Sequence, residues 1–367
     1  MERTFTFKIE KEDTGQDIHS FLRRKGFSRH ILQSMKPDPT SILLNGRHEF
    51  MCHPLEEGDV LTARVCDPVS SENIIPAPVP FGIAYEDEDI LVVNKPANLA
   101  IHPAISHPEN TLGNGVVWYY EKQGIPFVFR CINRLDRDTT GLLIVAKNIV
   151  ASCILEQSLQ RHEIHRTYLA VAEGMCDESG TVDLPIGRQD RSLIERCVDL
   201  ENGERAVTHY RRLKYIPDEK ISRDNVPGAN TPSGNVSGDD VTGGNVSGDN
   251  VASGNGSSDN VSGDNIANGN VSEINVPGGR SVLQLRLETG RTHQIRVHMA
   301  YLGHPLVGDT LYNPAYLRRP TDPVPADAPI GRQALHSWKL DFVHPITKKA
   351  MHLEAPIPGD MQALIDG

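Results

Sequence analysis

Cys131–Asn148 reads CINRLDRDTTGLLIVAKN. After Gly141 comes an unbroken apolar block, Leu142–Ala146, which predicts a strand buried on both faces. Directly before it stands RLDRDTTG, residues 134–141, with two Arg, two Asp and a Gly. Charged groups beside a buried strand need partners or a purpose. A β-turn capped by Asp138 and Thr139 would account for one Asp, but less well for Arg-Leu-Asp-Arg-Asp together.

Three further clusters surround this one in the chain. Leu285–His298, LRLETGRTHQIRVH, holds three Arg, two His, a Gln and a Gly. If extended, it would place Arg291, His293 and Ile295 on one face and Thr292, Gln294 and Arg296 on the other. His293 and His298 are five residues apart, which matches neither a helix face nor HExxH, so no metal site is expected there. HRTYLAVAEG, containing Arg166-Thr167-Tyr168, alternates like a strand. NKPANLAIHP, Asn94–Pro103, reads as a loop following the strand DILVV. His102 and His107 lack the companion carboxylate or Cys spacing of a metal site.

Residues 225–279 differ from the rest of the chain. Asn or Asp recurs every five residues from 225 to 275, usually followed by Val, with no aromatic, Lys or Arg. The stretch carries six acidic residues; without it the net charge falls from −11 to −5. Such a segment buries too little to offset its chain entropy, so it is expected to be a disordered pentapeptide-repeat insertion. Pentapeptide-repeat β-helices share the period but favour Leu or Phe at the centre, where this chain has Val. The flanks, AVTHYRRLKY (206–215) and SVLQLRLE (281–288), both alternate like strands, so the insertion reads as an overgrown connection within one domain.

Residues 1–67 form a separate unit. TFTFKIE predicts a strand. Asp17–Ser34 predicts helix through Ile18, Phe21, Leu22, Ile31 and Leu32, interrupted at Gly26, with Ser28 capping a second helix. SILLNG and LEEGDVLTARV predict strands and turns. This order, with Ser28-Arg29 and Asn45-Gly46, resembles the small S-four-like RNA-binding domain. Arg23, Arg24, Lys25, Arg29 and Lys36 cluster on the helical part as candidate phosphate contacts, with a solvated helix face as the plain alternative. Ser70–Pro80, SSENIIPAPVP, is Pro-rich, and residues 68–80 read as a linker.

The whole chain has 367 residues, 38% hydrophobic and 5% aromatic. Its longest apolar run is far too short to span a bilayer, and MERTFTFKIEKED has no apolar core of a secretory signal. The six cysteines show no CxxC spacing, which argues against a zinc ribbon and fits reduced thiols in a cytoplasm. A net charge of −11 argues against coating nucleic acid by bulk charge but leaves room for a local basic cleft.

Taken in order, NKPANLAIHP, NRLDRDTTGLLIVAKN, RTYLAV, PIGR, GERAVTHY, TGRTHQIRVHMAYLGHPLVGDTLY and LHSWKLDFVHP resemble the RluA-type pseudouridine synthases over residues 81–360. The chain departs from that family's usual pattern at Asn133 (commonly His), Thr140 (often Ser), Arg166 (commonly Lys) and Gly203-Glu204-Arg205-Ala206. The resemblance implies an α+β enzyme. Its catalytic domain, 81–224 with 280–367, would be a mixed, mainly antiparallel sheet with a central RNA-binding cleft, joined to the small N-terminal α/β RNA-binding domain. The implied reaction turns a uridine of RNA into pseudouridine without cofactor or metal.

Residue by residue, the resemblance implies that Asp136 is the catalytic aspartate and must be ionised, so a cation is expected beside it. Arg296 would be that cation, with Arg291 as a second candidate. Tyr168 would pack on the target base, and Arg134 would enter the space that a flipped uridine vacates. Arg291 and His293 join Arg23, Arg24 and Arg29 as expected RNA contacts. Large-subunit ribosomal RNA is the favoured substrate, transfer RNA the alternative, and a monomer acting in the cytoplasm is expected. Two rivals stand beside this reading. A glycoside hydrolase using Asp136 and Asp138 gives Arg296 and Tyr168 no role. An inactive RNA binder would not need Asp136, Tyr168 and Arg296 together.

Overall fold

The computed structural model of the chain describes residues 1–67, 70–71, 73–104, 109–190, 192, 194–218, 278–317 and 328–367. These belong to one compact unit, Met1–Asp218 with Val276–Gly367. The predicted insertion, 225–279, lies outside the described residues apart from Gly278 and Gly279.

The N-terminal part runs β1 (Glu2–Lys8), α1 (Ile18–Arg24), α2 (Arg29–Met35), β2 (Ile42–Leu44), β3 (Arg47–His48) and β4 (Val60–Cys66). Its strands form an antiparallel sheet in the order β1-β4-β2-β3. Asp17 caps α1 by accepting from Ser20 N, and Ser28 caps α2 by accepting from Ile31 N. Asn45 and Gly46, both at positive φ, make the β2–β3 turn. Phe5, Phe21, Leu22, Ile31, Leu32, Leu61 and Ala63 fill its core, and Val150 from the following part completes it.

The larger part adds β5 (Gly82–Glu86), β6 (Ile90–Lys95), α3 (Leu112–Glu121), β7 (Arg130–Cys131), β8 (Thr140–Ala146), α4 (Ile149–Gln160), β9 (His165–Glu173), β10 (Ser179–Asp183), β11 (Ile186–Arg188), β12 (Arg196–Val198), β13 (Val207–Pro217), β14 (Gly279–Leu287), α5 (Gln294–Tyr301), β15 (Leu335–Val343), β16 (Ala350–Glu354) and α6 (Gly359–Asp366). The main path of its sheet is β10-β13-β14-β9-β15-β8-β6-β5, antiparallel throughout except for the β15–β8 pair. The fold is therefore α+β with a mixed, mainly antiparallel sheet. Every residue of β8 is buried, as its apolar block requires. At Gly141 a β-carbon would lie 2.2 Å from Ser337 O, so glycine permits the parallel β8–β15 approach.

The strands flanking the insertion pair with each other, β13 with β14, from Thr208↔Leu287 to Pro217↔Gly279. Among the described residues no helix is long and apolar enough to cross a membrane. The described part of the 68–80 strip is bonded along its length. Ser70 and Ser71 hydroxyls accept from Phe127 N and Phe129 N, and Asn114 Nδ2 donates to Ile75 O. Across the same boundary Arg3 pairs with Asp89 and Arg130 with Asp67.

The extended reading of 291–296, one of the two that the sequence left open, does not hold. Residues 294–301 form α5 rather than an extended strand, so the two faces drawn for 291–296 do not exist. Gln294 explains the turn. Its Oε1 accepts from Arg291 N and the Thr289 hydroxyl, while its Nε2 donates to Val207 O and Thr208 Oγ1. These local bonds favour a helix start over a strand, and apolar spacing alone did not separate the two.

Candidate active site

Asp136 sits in the turn between β7 and β8, where its carbonyl accepts from Thr139 N. The turn is clamped from both sides. Lys95, 1% exposed, donates through Nζ to Pro96 O, Leu99 O and Arg137 O at 2.8–2.9 Å. Leu99 N also donates to Arg137 O. From the other side Arg332 donates to Asp138 O, and Gln333 to Thr139 Oγ1. The loop NKPANLAIHP therefore acts as a support for the acidic turn.

Burial pushes the Lys95 pKa down to about 7, against the charges of Asp138 and Asp136. Lys95→Met should leave the Pro96 and Leu99 carbonyls without the Lys95 donor, while Arg137 O keeps only its bond from Leu99 N. It is expected to lower stability by about 3 kcal/mol and turnover on the order of 10²-fold through a misplaced Asp136. Because the unfolded lysine holds its proton up to the ordinary 10.5, wild-type stability should rise with pH between about 7 and 10.5. The Met variant should lack that slope in pH-dependent denaturation.

Arg296 lies in the first turn of α5, buried, facing Asp136. Its Nη1 donates to Asp136 Oδ2 at 3.2 Å. Its Nε and Nη2 make a two-pronged pair with Asp309 at 2.7 and 2.8 Å. Burial works against this charge, but the Asp309 bonds and the two carboxylates outweigh it and raise the Arg296 pKa. Asp309 is fully buried and also accepts from Leu311 N and Tyr312 N. The Arg296 guanidinium rests 5.0 Å from the centre of the Tyr312 ring.

His293 precedes α5 at φ +59°, a left-handed conformation that turns its ring inward. Its Nδ1 meets the Tyr312 hydroxyl at 2.7 Å, and its Nε2 lies 4.0 Å from Asp136 Oδ2. Burial lowers the His293 pKa, so the ring is neutral at pH 7 and positions rather than neutralises.

Asp136, His293 and Arg296 line a cavity of about 320 Å³, together with Arg134, Arg166, Tyr168 and Gly290. Tyr168 is central in β9, between β14 (Leu285↔Tyr168) and β15 (Ser337↔Tyr168). Burial raises its pKa, so it remains a neutral phenol. Arg134 is exposed at this cavity.

The structure thus brings together Asp136, Tyr168, Arg296, Arg134 and His293. Arg291 also lines the cavity, but its guanidinium is bonded to Glu204 and to Arg205 O, so it is not the partner of Asp136. Arg23, Arg24 and Arg29 are exposed on the N-terminal helices. There Arg24 pairs with Asp13, and Arg23 donates to Phe27 O. Sequence reasoning assigned no role to Asp309 and Tyr312, although GDTLY was part of the resembling stretch. The only sign available was a second acidic residue close behind HQIR.

Among the described residues one trio, Asp87, Asp89 and His344, is close enough to hold a metal ion. Its carboxylates already accept from Tyr85, His344, Arg3 and Asn148, which accounts for the cluster. His107 of the weighed His102–His107 pair lies outside the described residues.

Comparison with known proteins adds an independent line. The family model of RNA pseudouridylate synthases matches residues 89–301. An uncharacterized RNA pseudouridine synthase of Bacillus subtilis, YjbO, is 35% identical over 351 residues, covering 95% of this chain and 98% of that protein. Ribosomal large subunit pseudouridine synthase D of Escherichia coli K12 is 36% identical over 298 residues, covering 79% of this chain and 71% of the relative. A second Bacillus subtilis protein, the uncharacterized RNA pseudouridine synthase YhcT, is 33% identical over 295 residues, 80% of this chain and 74% of its own length.

Proposed function

The chain belongs to the RNA pseudouridylate synthase family, and from that premise we propose that it isomerises uridine to pseudouridine in large-subunit ribosomal RNA. The observation that carries the reading is the Asp136–Arg296–Asp309 arrangement at the wall of a cavity that also holds Tyr168 and an exposed Arg134. In the reaction the bond from N1 to ribose C1′ breaks and a bond from C5 to C1′ forms. N1 gains a proton and C5 releases one, so redox state and composition are unchanged, and the C5 hydrogen exchanges with solvent.

Asp136 is assigned as the nucleophile or base. Arg296 holds it ionised and aimed at the cavity, and Asp309 fixes the guanidinium. Tyr168 is assigned to pack on the extruded base and Arg134 to fill the gap in the RNA stack. The N-terminal helices, through Arg23, Arg29 and neighbouring Lys25, are assigned to backbone contacts elsewhere on the RNA. The protein is read as a monomer acting in the cytoplasm. The ribosomal assignment is supported by the relative from Escherichia coli, whose name carries it.

The test is release of tritium from RNA labelled at uracil C5. Large-subunit ribosomal and transfer RNA transcripts are offered separately. Release from ribosomal RNA alone is expected. Release from transfer RNA alone would move the chain to the other substrate class, and release from neither by a folded protein would count against the reading.

A further inference from the structure

Among the described residues, the buried cations have either a carboxylate or a full set of acceptors, with one exception. Arg296 rests on Asp309 and Asp136, Arg332 on Asp360, Lys147 on Glu86, and Lys95 on three carbonyls. Arg166 is 8% exposed; its guanidinium bonds the Tyr168 hydroxyl, yet among the described residues no carboxylate pairs with it, and its Nε has no acceptor. It stands on β9 two residues before Tyr168, on the same face, in the wall of the cavity that holds Asp136. Gly290 lies against it; a β-carbon there would come within 3.1 Å of Arg166 Nη1.

A guanidinium cannot shed its proton to escape burial. One buried without a counter-charge therefore destabilises the free protein, and a site that retains it gains when an anion arrives. A second donor in the same wall, Asn133 Nδ2, is also buried without an acceptor. A wall with two orphaned donors calls for oxygen acceptors. A target nucleotide brings two kinds: the non-bridging oxygens of its phosphates, and the uracil carbonyls, which gain negative charge while the ring is detached from ribose.

We infer that Arg166 is a substrate-binding residue that holds an anionic oxygen of the target nucleotide, from a flanking phosphate or from the detached uracil. The inference rests on the proposed uridine isomerisation. Its test uses the full chain as wild type, Arg166→Met and Arg166→Lys. Three readings are taken: the thermal midpoint without RNA, RNA affinity across a salt series, and the single-turnover rate of tritium release at saturating RNA.

The Met variant should melt no lower than wild type, because it removes an unpaired charge. It should lose at least tenfold in affinity or in rate, with Lys restoring part of the loss. Weaker binding with a salt slope reduced by about one identifies a phosphate as the partner. A slower single turnover at unchanged affinity identifies the uracil oxygen. A lowered midpoint or failure to fold in the Met variant would make Arg166 a structural cation and overturn the inference. Affinity and rate both within twofold of wild type would overturn it too. Absence of tritium release from wild type would instead strike the functional reading on which it rests.

Discussion

Asp136→Asn should abolish isomerisation while leaving the protein folded and able to bind RNA. The carboxylate is the group assigned here to attack or to take a proton, and Asn keeps its shape while removing that capacity. The rate is expected to fall by at least about four orders of magnitude, the scale seen when a nucleophile is removed from a catalytic group. The cost to stability should stay within about 1 kcal/mol, because Arg296 keeps its two bonds to Asp309 and Asp136 is only partly buried. Tritium release in a single turnover, beside an RNA-binding titration, separates the two effects. A variant retaining a tenth of the wild-type rate would remove Asp136 from the chemistry and return Asp138 to consideration. A loss of binding equal to the loss of rate would point to a contact residue.

Arg296→Met should damage both stability and turnover, and the two losses should be separable. The substitution leaves Asp309, fully buried, as an uncompensated carboxylate. Removing one partner of a buried pair costs about 3–5 kcal/mol, read from chemical denaturation. The Asp136 carboxylate also loses its donor at 3.2 Å, so turnover should fall by roughly 10³-fold or more, the effect of deleting a fixed charge at a reacting group. Adding Asp309→Asn to Arg296→Met removes the stranded charge but keeps an acceptor for Leu311 N and Tyr312 N. The double variant should recover most of the lost stability and none of the lost activity. Recovery of activity with stability would mean that Arg296 acts only by holding the fold.

The second result bears on what was readable in the chain. Arg296 was expected beside Asp136 from a resembling motif, since a catalytic carboxylate needs a cation. Asp309 was not expected, because the need it meets is created by burial. An exposed arginine would stand without it, and the sequence does not announce that α5 packs its first turn inward. The same holds for Lys95. As text it is one basic residue before a proline in a loop. In the folded chain it joins three carbonyls, one of them next to Asp136 in the chain. Arg166 differs again: its type departs from the Lys of the resembling motif, and its unsatisfied Nε is visible only in three dimensions.

The sequence by itself determined the strands and helices whose signals are local. The apolar block 142–146 is a buried strand wherever it is placed, Ser28 and Asp17 cap helices through their own side chains, and Asn45-Gly46 turns because both adopt positive φ. The order of motifs also determined the family and the residues worth testing. Tertiary structure alone decided that 294–301 is a helix, because side-chain bonds from Gln294 to β13 and to its own turn outweigh an ambiguous apolar pattern. It alone decided which of Arg291 and Arg296 meets Asp136, since Glu204 and the Arg205 carbonyl, some 86 residues away in the chain, take the first. Local propensity is written in neighbours along the chain. Charge pairing is settled by whichever groups the packing of distant segments buries together.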